Sequence, residues 1–106
     1  EQLYNTIERL NYTEVIQQMN AQLKDMAITD LLTGMYNRQG LDKIVMECKS
    51  KDCNKILVYV DLDNFKYYND TFGHELGDRV LVRFSKMLKN IVENIGYAIR
   101  YGGDEF

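Results

Sequence analysis

Two stretches of the sequence place acidic residues where they could serve chemistry. In the first, an apolar run at 56–60 is followed by Asp61 and Asp63. In the second, Asp104 and Glu105 follow a pair of glycines. A carboxylate at the mouth of an apolar strand is costly without a cation, and Mg²⁺ prefers oxygen ligands. If the two stretches are neighbours, their acids can surround a pair of metal ions for phosphoryl or nucleotidyl transfer.

Each acidic motif also has an ordinary structural explanation. Asp63 precedes Asn64 and Phe65, so it suits the cap of a helix, and Asp-x-Asp by itself is a weak indication of metal. Hairpin turns often carry Asp as well. Asp61 has no such role, and an acidic pair directly after two glycines is not needed for a turn. The metal interpretation therefore depends on Asp61 and on that pair.

The residues that follow Asp63 offer groups for a phosphate. The backbone amides of Asn64, Phe65 and Lys66 are predicted to lie at a helix N-terminus, which favours anions. The side chain of Lys66 adds a positive charge. Together these groups predict a place for the phosphates of a nucleotide.

Three polar residues surround the next turn, which two glycines bound. They are Asn69, His74 and Asp78. Asn and Asp together can recognise a guanine edge, because Asp accepts from the ring N–H and amino groups. Turn chemistry explains each of the three when it is taken singly, so the two interpretations stay open at this point.

Residues 1–27 contain neither Gly nor Pro and carry a narrow apolar stripe. Its members repeat with spacings of 4, 3, 4 and 3, the seam of a coiled coil: Tyr12, Ile16, Met19, Leu23 and Met26. The flanking positions are polar. The pattern favours pairing with another copy over packing on the helix's own domain, which is the alternative.

The remaining pattern predicts the order helix, strand, helix, helix, strand, turn. Leu41 to Cys48 have helical spacing. The run 56–60 lacks alternation, which is typical of a strand buried on both faces at the centre of a sheet. Helices are predicted at 65–72 and 76–95, and a second strand at 97–101 enters the glycine turn. This order predicts an α/β domain, with ligands beyond the carboxyl ends of the strands.

Composition excludes several classes of function. The 106 residues carry a net charge of −3 with no basic patch, which argues against binding of nucleic acid or anionic membranes. No apolar run approaches the ~20 residues that span a bilayer. Cys48 and Cys53 are predicted to be reduced thiols, which indicates a cytoplasmic protein.

Three blocks of the sequence resemble one family in order and spacing: Asp30–Arg38, Asp61–Asp78 and Arg100–Phe106. They look like the N-terminal part of a GGDEF domain, the catalytic domain of bacterial diguanylate cyclases. The resemblance implies an α/β fold similar to nucleotidyl cyclases and polymerase palms. It divides the chain into a signalling helix at 1–27 and the domain at 28–106. The implied reaction condenses two GTP into cyclic di-GMP and pyrophosphate across a homodimer.

The resemblance also implies roles for individual residues. Mg²⁺, or Mn²⁺, would be held by Asp61, the Leu62 carbonyl, Asp104 and Glu105. Catalysis would involve Asp104, Glu105 and Lys66. The substrate would be bound by Asn64, Phe65, Asn69, His74 and Asp78. The N-terminal helix would pair subunits and relay the signal of an upstream sensor. The resemblance is compatible with a membrane anchor elsewhere in the longer protein.

Two departures from the family pattern qualify these expectations. Many members carry an Arg-x-x-Asp product-inhibition site where this sequence has Glu93, Asn94, Ile95 and Gly96. We therefore expect no such site here. The sequence stops at Phe106, before the family's remaining strands and helix, so the isolated polypeptide is expected to be incomplete. The alternative function is a non-catalytic, GTP-binding regulatory domain.

Overall fold

A computed structural model describes residues 1–51 and 54–106 of the chain. Within them lie four helices: α1 (Gln2–Ile28), α2 (Arg38–Lys49), α3 (Phe65–Phe72) and α4 (His74–Val92). All four were predicted from periodicity. Cys48 lies half-buried on α2, whereas Cys53 is outside the described residues.

Helix α1 buries none of its residues. Every side chain of the predicted seam, from Tyr12 to Met26, is more than half exposed. The described residues therefore do not bury the stripe, and its pairing with another copy stays a prediction. No helix among the described residues has both the length and the apolarity needed to cross a membrane.

The segment 29–37 joins α1 to α2 through a compact turn. The Asp30 amide donates to the Met35 carbonyl (2.6 Å), and Gly34, whose φ is +69°, donates back to the Asp30 carbonyl (2.8 Å). Asn37 caps α2 by accepting from the Gly40 amide at 3.0 Å. Its own side-chain amide donates to the Ala27 carbonyl at 2.9 Å, so one residue ties the end of α1 to the start of α2.

The core is small and gathers around one face of α4. Its buried apolar members are Met35, Leu81, Ala98 and Phe106. The Phe84 ring meets Phe106 edge to face, with 4.8 Å between centroids. Partly buried side chains complete the cluster: Val60, Leu62, Phe65, Phe84, Leu88 and Val92. The last residue of the predicted hairpin is thus a core residue.

The two predicted strands are the main difference from the sequence prediction. The described residues contain only isolated bridges, including an antiparallel one between Asp61 and Glu105 and a parallel one between Tyr36 and Ile99. Ile56 is 92% exposed, so the prediction of a strand buried on both faces is wrong here. A strand needs hydrogen-bonding neighbours. The antiparallel register pairs Val60 with Phe106, and no described residue forms a backbone hydrogen bond with residues 56–59.

Helix α4 also ends earlier than its apolar pattern predicted. The prediction carried it to Ile95, but Glu93 leaves the helical conformation with ψ of 130°, and Asn94 has φ of +70°. The amides of Ile95 and Gly96 donate to the Val92 carbonyl at 3.0 and 2.9 Å. Ile95 is consequently exposed, and its apolar character has no helical explanation.

Charges placed in the stripe of α1 test whether it pairs copies of the chain. We expect Leu23→Lys with Met26→Lys to weaken self-association of the full-length protein at least about a hundredfold, because two buried apolar contacts per chain are lost. Light scattering over a dilution series measures the effect. Gln17→Lys with Gln18→Lys adds the same charge beside the stripe and is expected to leave association unchanged. Equal association of all three proteins would contradict pairing through α1.

Candidate active site

The hairpin at Arg100–Phe106 places two acids at the edge of the core. The Glu105 amide donates to the Gly102 carbonyl at 2.9 Å, so Gly103 and Asp104 are the central residues of the turn. The amides of Tyr101 and Gly102 donate to the Glu105 carbonyl at 2.9 and 3.3 Å. The turn is therefore fixed on both sides by backbone hydrogen bonds.

The hairpin lies against the end of the apolar run. Val60 and Phe106 exchange two backbone hydrogen bonds of 2.7 Å, and the Leu62 amide donates to the Asp104 carbonyl at 3.1 Å. Asp61 is directly opposite Glu105 in this register. The sequence prediction that the acids of the two stretches are neighbours is thus confirmed.

The acids repel one another. A hydrogen bond with Asp104 raises the pKa of Asp61 above its usual value, and burial and the negative charges of Asp104, Glu105 and Asp63 act in the same direction. The Glu105 carboxylate, an acceptor beside the phenol, raises the pKa of Tyr59 to about 12. Such a cluster favours any cation that reduces its negative potential.

The donor set suits a hard divalent ion only in part. Asp61 and Asp104 lie close enough to share a proton, and carboxylate oxygens are the ligands that Mg²⁺ takes. Among the described backbone hydrogen bonds none ends on the Leu62 carbonyl, so that oxygen is available as well. However, no group of three metal-binding side chains converges in the part of the chain described here. The arrangement of three acids around one cation pair stays a prediction, and the Glu105 carboxylate lies beside the Tyr59 phenol.

Two arginine side chains donate hydrogen bonds to backbone carbonyls of the hairpin. Arg100 donates through Nη1 to both carboxylate oxygens of Asp30 (3.2 and 3.1 Å), and through Nε and Nη2 to the Gly103 carbonyl (3.1 and 2.9 Å). Arg38 is the first residue of α2, and its side chain donates to the Tyr101 carbonyl at 2.9 Å. Its guanidinium carbon lies 4.2 Å from the centre of the Tyr101 ring. Both contacts join the hairpin to the segment that follows α1.

Asp30 connects the arginine to the turn at 30–34. Its Oδ2 accepts from the Thr33 amide at 2.9 Å and from the Thr33 hydroxyl at 2.7 Å. Burial raises the pKa of Asp30, but the hydrogen bonds from Thr33 and the pairing with Arg100 outweigh it, so the pKa lies below 3.8. Only 16% of the Arg100 side chain and 22% of the Asp30 side chain are exposed, so solvent screens this pair weakly.

Sequence reasoning missed the function of these two arginines. Asp30, Arg38 and Arg100 were named only as limits of the matching blocks, and none of them received a role. The available signal was that a charged residue lies two positions before the glycine pair and another begins α2. An arginine with five donors in a planar fork can join two distant turns.

The predicted phosphate groups lie directly after the acids in the chain. Asn64 is the residue before α3 and has a left-handed backbone (φ 58°, ψ 26°) with no side-chain cap. The helix begins at Phe65, which leaves the first amides unsatisfied, as the anion-site prediction requires. Asp63 is not the cap, so that alternative interpretation is wrong. The Lys66 side chain is exposed.

The predicted base-binding residues lie at the junction of α3 and α4. Gly73, with φ of +92°, separates the two helices. His74 begins α4, and Asp78 follows one turn later on the same face. Asn69 lies on α3 with its Oδ1 buried and without a hydrogen-bond partner. No described hydrogen bond or ion pair connects this group with the acids of the hairpin.

Comparison with known proteins defines the class of protein. The family model described as "Diguanylate cyclase, GGDEF domain" matches residues 27–106. The response regulator PleD of Caulobacter vibrioides is 38% identical over 104 residues, which are 94% of this chain and 23% of that protein. The diguanylate cyclase DgcN of Escherichia coli is 41% identical over 95 residues, 86% of this chain and 23% of that protein. Other matching relatives are named cyclic di-GMP phosphodiesterases.

A solved structure agrees with the family match. The coiled coil and GGDEF domain of DgcB from Caulobacter crescentus, in complex with c-di-GMP, superimposes with a TM-score of 0.87 at 28% identity. The alignment covers 96% of this chain and 56% of that one. The chain belongs to the GGDEF family of diguanylate cyclases. It spans about a quarter of the length of the curated relatives PleD and DgcN.

Removing the charge of Asp30 tests the contact between the hairpin and the turn at 30–34. We expect Asp30→Asn to lower the free energy of unfolding of the full-length protein by about 1–3 kcal/mol at pH 7. The pKa of Asp30 is depressed in the folded state, so this contribution is complete above 3.8 and fades as the pH falls below it. Urea unfolding from pH 7 down to about pH 3 measures both effects.

The matched control is a surface ion pair. Glu75 and Arg79 are 3.7 Å apart, with 87% and 73% of their side chains exposed. We expect Glu75→Gln to cost less than about 0.5 kcal/mol at every pH. Two results would show that the Asp30 charge does not stabilise the fold. One is that Asp30→Asn lowers the free energy of unfolding as little as the control does, and the other is that its effect on this free energy is unchanged at acid pH.

Proposed function

We propose that the chain carries the GTP-binding half of a diguanylate cyclase site that makes cyclic di-GMP in a Mg²⁺-dependent reaction across a dimer. The observation that supports this most directly is the pairing of Asp61 with the hairpin acids Asp104 and Glu105. Degenerate sites have no need to retain acids that raise the pKa of Asp61. The cost of this repulsion is understandable if a cation normally binds there.

Different residues of the chain have different roles in the proposed reaction. The oxygens of Asp61, Leu62, Asp104 and Glu105 would hold Mg²⁺ or Mn²⁺, which neutralises phosphate charge when bound. The amides of Asn64 and Phe65 bind phosphate oxygens. Lys66 stabilises the negative charge that develops at the α-phosphate.

In the chemical step one bond to phosphorus forms, another breaks, and one proton is transferred. The 3′-oxygen of one GTP forms a bond to the α-phosphorus of the other, and the bond from that phosphorus to the pyrophosphate oxygen breaks. The proton of the 3′-hydroxyl passes to a carboxylate, for which Asp104 is placed at the tip of the turn. Two such steps close the ring and release two pyrophosphates.

Two nucleotides require two copies of the site. One chain holds one set of acids and one set of base-binding residues, Asn69, His74 and Asp78, so the second GTP is carried by a partner copy. The exposed stripe of α1 supplies a pairing surface that leaves the hairpin free. Helix α1 ends at Ile28, where the Asn37 side chain binds the Ala27 carbonyl, so the signal of an upstream sensor would reach the domain at this contact.

The second candidate function is a regulatory GGDEF domain that binds GTP without turning it over. Relatives named cyclic di-GMP phosphodiesterases favour keeping this candidate, since they carry a matching segment. The two candidates differ in product formation, not in GTP binding.

Substitution of the hairpin acid separates them. We expect Asp104→Ala in the full-length protein to lower cyclic di-GMP formation from Mg²⁺-GTP by more than about a hundredfold while GTP is still bound. Chromatography of the products and equilibrium binding of GTP are the two measurements. Asp42→Ala removes an exposed acid on α2 and is expected to change neither. A wild-type protein that binds GTP but forms no product would instead support the regulatory domain.

A further inference from the structure

Helix α4 carries a glycine that its backbone does not require. Gly77 is buried inside the helix and has no positive φ, unlike Gly73 and Gly34. A glycine in a helix interior costs about 1 kcal/mol relative to alanine. Gly96, by comparison, has no atom within 4 Å of the place where a Cβ would be. The reason for a glycine at 77 must therefore be the space around it.

That space is filled by Asn69. A Cβ added at Gly77 would lie 1.6 Å from the Asn69 Oδ1, 2.8 Å from its Cγ and 3.4 Å from its Nδ2. Such contacts are impossible, so any side chain at 77 would force the amide of Asn69 to turn away. Only glycine lets α3 and α4 meet with Asn69 between them.

In this arrangement the oxygen of the Asn69 amide faces Gly77 and the nitrogen lies on the other side. The oxygen is the atom nearest to Gly77; it is buried and has no hydrogen-bond partner. A Cα–H group against a carbonyl oxygen is a weak attraction that does not replace a full hydrogen bond. The nitrogen lies farther from Gly77, and the described residues offer it no hydrogen bond. It is therefore the donor that a ligand would meet.

We propose that Gly77 is a positioning residue for base recognition: it holds the Asn69 amide with its oxygen against α4 and its nitrogen toward the base. This proposal rests on the proposed function, because it assigns a supporting residue to the same guanine site. An acceptor atom on the base completes the hydrogen bond of Nδ2, while Asp78, one residue further along α4, accepts from the N–H groups of guanine.

The test compares Gly77→Ala with Gly96→Ala in the full-length protein, with and without Asn69→Ala. We expect Gly77→Ala to raise the KM for GTP about tenfold, the effect of one hydrogen bond, with a smaller change in kcat. We expect Gly96→Ala to change neither. In the Asn69→Ala background, Gly77→Ala should no longer affect KM and should raise the melting temperature, because alanine favours helix and the clash is gone.

The outcomes separate this proposal from the function on which it rests. If wild-type protein binds GTP and Gly77→Ala binds it equally well, Gly77 does not position Asn69. An equal loss of affinity with and without Asn69 would assign Gly77 a general structural role and also overturn the proposal. Failure of the wild-type protein to bind GTP at all would reject the proposed function itself, and the melting temperatures would still report whether Gly77 and Asn69 interact.

Discussion

The guanidinium of Arg100 joins the two parts of the chain that the site depends on. One side of it binds the carboxylate of Asp30 and the other binds the carbonyl of Gly103, the residue before Asp104. The hairpin is otherwise held by its own turn bonds and by its backbone pairing with residues 60–62, and short hairpins are marginally stable in water. This bridge fixes the acidic turn to the segment that leads out of α1. One ion pair thus lies between the end of that helix and the acids.

The need for such a bridge follows from the charges at the site. Asp61, Asp104 and Glu105 are close enough for the pKa of Asp61 to rise, so their repulsion works against the folded hairpin. Arg100 and Arg38 bind carbonyls of the hairpin rather than its carboxylates. The positive charges therefore hold the turn in place without neutralising the acids, which stay available to a cation.

The helices could be predicted from the sequence because their signals are local. The spacing of apolar residues in α2, α3 and α4 is repeated within a few turns, and the only clear error was the end of α4 at Asn94. The strands could not be predicted in this way, because strand pairing joins residues far apart in the sequence. The run 56–60 looked like a central strand, yet among the described residues only Val60 of this run forms backbone hydrogen bonds with another segment.

The candidate site was predicted in part for the same reason. The neighbourhood of Asp61 and the hairpin acids followed from two motifs that meet at strand ends. The bridge from Asp30 to Arg100 spans 70 positions, and the contact of Asn69 with Gly77 depends on how two helices pack. Neither of these two contacts can be predicted from a local sequence pattern. The glycine inside the strongly amphipathic helix α4 was nevertheless a visible irregularity.

The most direct test of this view is a double-mutant cycle on Asp30 and Arg100, with the rate of cyclic di-GMP formation by the full-length protein as the measurement. If the ion pair positions the hairpin, Asp30→Asn and Arg100→Gln will each lower kcat, and the double variant will be no slower than the slower single one. Losses that simply multiply, or single variants with the wild-type rate, would show that the acids are positioned without this bridge.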